Sequence, residues 1–145
     1  MACSGKDWIF ISDAHFTGRD PESMEVFLRF LDSEKKRMGH LVILGDLFEF
    51  FFGFRNDSSI EKPSAFSDYL PVLNKLQSLY HEGIQIKYFE GNHDFFLHSF
   101  FSEQFGMEVE VYPNGCEERL EGNRAFISPL LTLISLVCCK VPLLS

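Results

Sequence analysis

The sequence predicts a single α/β domain built on a parallel sheet. Three short apolar runs alternate with segments of helical periodicity, which is typical of buried strands joined by crossover helices. The composition agrees, because 46% hydrophobic and 23% charged residues over 145 positions suit one globular core.

The first two strands are predicted at residues 8–12 and 40–45, where nearly continuous apolar residues end in polar or glycine positions. Residues 20–39 between them predict an amphipathic helix, with Asp20 as its cap and Pro21 in its first turn. The buried side of this helix is expected to hold Val26, Phe27, Phe30 and Leu31.

A second helix is expected within residues 63–83, and Pro71 is expected to start or kink it. Its apolar face is expected to consist of Leu70, Leu73, Leu76, Leu79 and Tyr80. The third strand follows at residues 84–91, so the order of strands and crossover helices predicts a parallel sheet.

The segment after the third strand predicts one more helix and three more strands. The helix is expected within residues 94–106, and a strand at 107–112 follows it. Residues 117–128 predict a hairpin that turns at Gly122 and Asn123.

Polar residues follow each of the three apolar strands. Because the carboxyl ends of parallel strands meet at one edge of a sheet, where ligands bind, these side chains are expected to converge. Carboxylate, amide and imidazole groups brought together there call for a divalent cation, and the mixture suits Mn, Zn or Fe. Taken singly, each motif can also be an ordinary helix cap or turn. The occurrence of all three motifs, each at the end of a predicted strand, favours a metal site. The residues concerned are Asp13, His15, Asp46, Asn92, His93 and Asp94.

The motifs ISDAH, LGDLFEF and EGNHDF resemble the first three motifs of the calcineurin-like metallophosphoesterases. Within that superfamily, residues 8–127 are similar to the UDP-2,3-diacylglucosamine pyrophosphohydrolases of lipid A biosynthesis. The resemblance implies an α/β fold that is the amino-terminal half of the superfamily's β-sandwich flanked by helices.

The resemblance also implies two divalent metal ions, with manganese expected first and zinc, iron and magnesium as alternatives. By that resemblance Asp13 and His15 hold the first metal, and Asp46 bridges both. Asn92 offers a neutral oxygen to the second metal.

In the same comparison His93 faces the scissile phosphate as a proton donor, and Asp94 orients His93. The implied substrate is a lipid-linked nucleotide sugar, whose pyrophosphate is hydrolysed to give UMP and a lipid monophosphate. An aromatic run near these motifs is expected to pack in the core, with lipid contact as the alternative. The run comprises Phe48, Phe50, Phe51, Phe52 and Phe54.

The sequence departs from the superfamily pattern after residue 127. The superfamily continues with histidine motifs, whereas no histidine follows His98 here. We interpret residues 1–127 as a truncated calcineurin-like phosphoesterase domain and residues 128–145 as an atypical apolar tail. A frameshifted or prematurely ended reading frame is the hypothesis for the tail, because the composition changes abruptly where a histidine motif should begin. A membrane anchor is disfavoured, because the apolar stretch is shorter than a spanning helix needs. Such a truncation is expected to impair activity.

The net charge of −8 argues against nucleic acid as a partner. The amino terminus has no secretion or lipidation signal, which predicts a cytoplasmic protein, and a lipid substrate adds peripheral contact with the inner membrane. A sheet covered on one face only predicts an oligomer that covers the other. Two alternatives stay open: a different calcineurin-like phosphodiesterase or phosphatase, and a non-catalytic metal-binding remnant.

Overall fold

The fold is taken from a computed structural model, which describes residues 7–49, 51–52, 65–95, 97–113, 116–120, 123–127 and 139–140. Its strands are β1 (Asp7–Ile11), β2 (Met38–Ile43), β3 (Phe51–Phe52), β4 (Gln85–Phe89), β5 (Asp94–Phe95), β6 (Glu110–Tyr112), β7 (Cys116–Leu120), β8 (Asn123–Ile127) and β9 (Cys139–Lys140). Its helices are α1 (Pro21–Glu34), α2 (Ala65–His81) and α3 (His98–Phe105).

The main sheet has the strand order β6-β4-β2-β1-β9. Strands β1, β2, β4 and β6 pair in parallel, with Ile9 opposite Leu41 and Leu41 opposite Ile86. The predicted parallel α/β sheet is therefore confirmed. Strand β9 comes from the predicted apolar tail and pairs antiparallel with β1, placing Cys139 opposite Phe10.

Helix α1 begins as predicted, because the Asp20 side chain accepts a hydrogen bond from the backbone N–H of Ser23 at 3.1 Å. Its buried side differs from the prediction: Val26 is 56% exposed. The predicted burial of Phe27 and Leu31 is confirmed, and Met24 shares their helical face, which turns Val26 towards solvent.

Helix α2 contains Pro71 in its interior, so Pro71 does not start the helix, and the alternative that it kinks the helix stays a prediction. Its apolar face is confirmed in Leu73, Leu76 and Leu79, which are buried. In the described parts of the chain, none of the helices has the length and apolar character needed to cross a membrane.

The third helix begins later in the chain than the sequence predicts. Asp94 and Phe95 form β5, which pairs with β3, and α3 begins only at His98. The helix ends at Gly106, which has the left-handed φ of 60° expected of a glycine stop.

The hairpin of β7 and β8 is confirmed, with a small shift in its turn. Leu120 faces Asn123 across the two strands, so Asn123 belongs to the ladder rather than to the turn. Strand β6 is also shorter than the predicted 107–112, since only its last residues pair with β4.

The two faces of the main sheet carry different packing. The face towards the helices is buried through residues such as Ile11, Ile43 and Tyr88. On the other face, Val42, Phe89 and Ile127 are buried, and the partly buried side chains packed against them are Trp8, Phe10, Leu44 and Tyr112. We call this the second face.

Two members of the aromatic run lie in the core. Phe48 and Phe51 are buried, with ring centroids 5.0 Å apart, and both pack on Tyr69. The expectation of core packing is confirmed for these two. Phe50, Phe54 and the side chain of Phe52 lie outside the described residues.

Candidate metal centre

The loops that follow β1 and β2 run side by side beyond the end of the sheet. The backbone N–H of His15 donates to the carbonyl of Asp46 at 3.0 Å. The N–H of Phe16 donates to the carbonyl of Leu47 at 2.9 Å. These bonds continue the parallel pairing past the strands, so polar side chains of the two loops face one site.

Three predicted ligands have strained backbones. Within the described residues, Asp13, His15 and Asp46 are the non-glycine residues with positive φ, at 52°, 49° and 51°. Such conformations cost non-glycine residues free energy and cluster at functional sites. The strain therefore coincides with the three side chains that the sequence singled out.

Glycines bring the third loop, after β4, against the second. A Cβ atom added at Gly91 would lie 2.2 Å from Oδ1 of Asp46, which is far inside contact distance. Gly45 has a φ of 84°, and a Cβ there would lie 3.1 Å from the Cα of Gly91. Larger residues at Gly91 would force the Asp46 carboxylate away.

The buried carboxylate of Asp94 ties these loops together. Its Oδ1 accepts hydrogen bonds from the N–H groups of Asp46 at 2.9 Å and Gly91 at 3.0 Å. Its Oδ2 accepts from the N–H of Leu47 at 2.7 Å and from the Tyr88 hydroxyl. One side chain thus holds the backbones of the second and third loops.

Burial raises the pKa of Asp94, and the hydrogen bonds from Tyr88 and the backbone oppose that rise. Burial and the nearby charge of Asp94 raise the pKa of the Tyr88 phenol well above its ordinary value. Tyr88 therefore remains a hydrogen-bond donor to Asp94 at neutral pH.

The His93 ring is held by a different group from the one predicted. Its Nδ1 lies 2.6 Å from the backbone carbonyl of Glu49. Because a carbonyl only accepts, Nδ1 carries the hydrogen and Nε2 carries the lone pair. The described hydrogen bonds of Asp94 go to Tyr88 and to loop backbone, so Asp94 positions the loops and the Glu49 carbonyl orients His93.

Asp13, His15 and Asp46 meet as predicted. One ligand atom from each lies within 4.8 Å of the other two, and Nε2 of His15 is 3.9 Å from Oδ1 of Asp13. The buried Nδ1 atom of His15 makes no hydrogen bond in the described structure. Two carboxylates and an imidazole brought together in this way fit a divalent cation.

Asn92 lies at the same edge with an exposed side chain, between two residues fixed by backbone hydrogen bonds. The N–H of His93 donates to Oδ1 of Asp46 at 3.0 Å. The N–H of Gly91 donates to Asp94. The individual metal roles of Asn92 and its neighbours stay predictions.

Glu49 is a site residue that the sequence reading missed. Its Oε2 lies 3.0 Å from Nδ1 of His15, and a ligand atom from each of His15, Glu49 and His93 lies within 4.8 Å of the other two. The available signal was the motif GDLFE, which places a second carboxylate on the loop of Asp46.

Comparison with known proteins shows similarity to UDP-2,3-diacylglucosamine hydrolases. The chain is 33% identical over 121 residues to a UDP-2,3-diacylglucosamine hydrolase of Tolumonas auensis, covering 82% of this chain and 44% of that protein. It is 33% identical over 114 residues to the hydrolase of that name from Stenotrophomonas maltophilia, covering 79% and 42%. The chain is a relative of the UDP-2,3-diacylglucosamine hydrolases. No family model matches it.

The relationship to these hydrolases confirms the resemblance carried by the three motifs. A third hydrolase, from Vibrio parahaemolyticus, is 31% identical over 119 residues, covering 82% of this chain and 45% of that protein. The chain therefore spans less than half the length of the curated hydrolases it matches. A solved structure of a protein of unknown function from Aquifex aeolicus aligns with this chain at a TM-score of 0.45 and 19% sequence identity. The alignment covers 86% of this chain and 60% of the Aquifex aeolicus chain.

Proposed function

We propose that this chain belongs to a metal-dependent hydrolase that cleaves the pyrophosphate of UDP-2,3-diacylglucosamine, giving UMP and a lipid monophosphate. One observation carries the proposal: Asp13, His15 and Asp46 converge within 4.8 Å at the carboxyl edge of the sheet. The substrate class comes from the hydrolases to which the chain is related.

Asp13, His15, Asp46 and Asn92 are the residues proposed to hold two divalent ions, with manganese first because carboxylate and imidazole donors are mixed. When bound, such ions lower the pKa of water and neutralise charge on phosphate oxygens. The Asp94 carboxylate contributes by holding the backbone of Asp46, and through it the Asp46 side chain, in place.

His93 is proposed to deliver a proton to the oxygen that leaves. Its Nδ1 hydrogen is committed to the Glu49 carbonyl, so Nε2 is the atom that takes up and releases a proton. His93 is partly buried, and its N–H is bonded to Asp46. The ring is therefore fixed relative to the proposed metal ligands before any substrate arrives.

The location and partners follow from the proposed substrate. A diacylated sugar nucleotide resides at a bilayer, so we place the chain in the cytoplasm with peripheral contact at the inner membrane. We also propose that chains associate through the second face, where Trp8, Phe10 and Tyr112 are only partly buried.

The test is release of UMP from UDP-2,3-diacylglucosamine in manganese buffer, with bis-p-nitrophenyl phosphate as a generic comparison substrate. UMP release that is abolished in Asp46→Asn and unchanged in Glu103→Gln, an exposed position on α3, supports the proposal. Cleavage of the generic substrate alone would indicate a different phosphodiesterase. Manganese binding without turnover of either compound would indicate a metal-binding module.

A further inference from the structure

We propose a second cation site formed by His15, Glu49 and His93. One ligand atom from each side chain lies within 4.8 Å of the other two. The three residues come from the loops after β1, β2 and β4, which the backbone hydrogen bonds and Asp94 hold together. Glu49 has no part in the ligand set proposed for the hydrolase.

The contact between His15 and Glu49 comes close to the geometry of two ligands of one cation. Nδ1 of His15 lies 3.0 Å from Oε2 of Glu49, yet Nδ1 makes no hydrogen bond in the described structure. Two ligand atoms that each bind Zn²⁺ at about 2.0–2.1 Å in tetrahedral geometry lie about 3.3–3.4 Å apart, so the 3.0 Å contact is a few tenths of an ångström shorter than a shared cation requires. The Nδ1 lone pair of His15 and the carboxylate of Glu49 can bind one cation between them, although no hydrogen bond joins the two groups.

His93 is proposed as the third ligand, since one of its ring nitrogens lies within 4.8 Å of ligand atoms of His15 and Glu49. Its Nδ1 hydrogen is donated to the Glu49 carbonyl, which leaves the Nε2 lone pair to bind. Its ring packs edge-on against His15, with centroids 5.1 Å apart. The same residue, Glu49, thus orients one histidine through its carbonyl and meets the other through its carboxylate.

Two imidazoles and one carboxylate form a ligand set that favours zinc and leaves a coordination position open. The side chain of Glu49 is 49% exposed, so a cation can enter from solvent. Zn²⁺ is therefore the cation assigned to this site.

The new site competes with the site of Asp13 and Asp46 for His15. Nε2 of His15 faces Asp13 and Nδ1 faces Glu49, but a neutral imidazole has one lone-pair nitrogen. His15 can serve only one of the two sites at a time. Zinc bound at Glu49 therefore takes His15 away from the other site, so zinc is expected to oppose manganese binding there.

The experiment measures Zn²⁺ affinity of the purified chain by calorimetry and the ligand environment by the visible absorption of bound Co²⁺. Glu49→Gln is expected to lower zinc affinity at least about tenfold, because loss of even an outer-shell partner costs about 10- to 100-fold. Asp13→Asn, which removes a ligand of the other site, should still bind zinc and keep the part of the cobalt spectrum that Glu49→Gln removes. Glu103→Gln serves as the exposed carboxylate control.

His93→Asn gives a second variant that is independent of any effect of Glu49 on folding, and it too should weaken zinc binding and change the cobalt spectrum. Wild-type zinc affinity in both Glu49→Gln and His93→Asn would overturn the proposal. Loss of all zinc affinity in Asp13→Asn would also overturn it, since the zinc would then belong to the site of Asp13 and Asp46. None of these measurements depends on hydrolase activity.

Discussion

Gly91 is the residue on which the contact between the second and third loops depends. A methyl group there would overlap Oδ1 of Asp46 at 2.2 Å. We expect Gly91→Ala to cost about 1–3 kcal/mol of unfolding free energy, as overpacking does, and to weaken manganese binding. Chemical denaturation and calorimetry measure the two effects.

Gly83→Ala is the matched control for that substitution. Gly83 has a φ of 90°, and an added Cβ there would have no atom within 4 Å. The variant should therefore lose stability through backbone strain while its manganese affinity stays at the wild-type level. Equal metal affinity in the two variants would contradict the role assigned to Gly91.

A second residue-scale prediction compares two proposed ligands. Asp46→Asn should lower manganese affinity more than Asn92→Ala, because Asp46 is proposed to serve both metals and carries a charge. We expect a difference of about tenfold or more by calorimetry, in line with the cost of disturbing a metal site. Comparable losses would count against the bridging role of Asp46.

The site residues that the sequence predicts are those that directly follow the apolar strands. Asp13, His15 and Asp46 were predictable because the end of a parallel strand fixes where the next side chains lie. The partners of Asp94 were not predictable, because Tyr88 lies in β4 and Leu47 in the loop after β2, and only the folded chain brings both to Asp94. Glu49 was missed for the same reason, since its contact with His15 joins two loops.

At the scale of elements, the cap of α1 gives a pH-dependent prediction. The hydroxyl and N–H of Ser23 donate to the Asp20 carboxylate and lower its pKa. Because the pKa of Asp20 is lowered in the folded state, its carboxylate stabilises the fold at pH values above the ordinary carboxyl pKa. This stabilisation is lost as the pH falls through the lowered pKa. Asp20→Ala should therefore be less stable than wild type at neutral pH, with the difference narrowing in acid.

Thermal melts of wild type and Asp20→Ala between neutral and acidic pH test this prediction. Asp20→Asn is the control, because asparagine is also a good cap and should melt close to wild type at neutral pH. A stability difference for Asp20→Ala that is constant with pH would contradict the assigned role of the carboxylate.

Long elements with a clear period were predictable, and short ones were not. The strands β1, β2 and β4 and the helices α1 and α2 carry enough apolar residues to show their pattern. Strands β3 and β5 have two residues each, and their pairing joins Phe51 to Asp94 across a long stretch of chain. Such a pair leaves no periodic signal, which is why α3 was predicted to begin too early.

At the scale of the whole molecule, the second face predicts self-association. Phe10 and Trp8 are partly buried there beside Val42 and Phe89. Phe10→Ser should reduce association in sedimentation velocity experiments, because it removes apolar surface from the proposed contact. Val26→Ser on α1, which removes an exposed apolar side chain elsewhere, should not. A monodisperse wild-type monomer would contradict the expectation.

The length of the related hydrolases gives a further prediction for the whole chain. Joining the carboxyl-terminal region of the Tolumonas auensis hydrolase after Ile127 should raise turnover of UDP-2,3-diacylglucosamine well above that of the present chain. His93→Ala in the chimera should lower turnover about 10²- to 10⁴-fold, the range for a positioned proton donor. Its metal content should be nearly unchanged by elemental analysis. Turnover by the present chain equal to that of the chimera would contradict this expectation.

The left-handed backbones of Asp13, His15 and Asp46 link metal supply to the amount of folded protein. Each such residue costs the folded state about 1–3 kcal/mol, and a cation that binds only the folded arrangement offsets this by mass action. At a free concentration 100 times its dissociation constant, a cation adds about 2.7 kcal/mol. In a cell, depletion of the proposed metal would therefore lower the abundance of the chain, because the metal-free form is more often open to proteolysis.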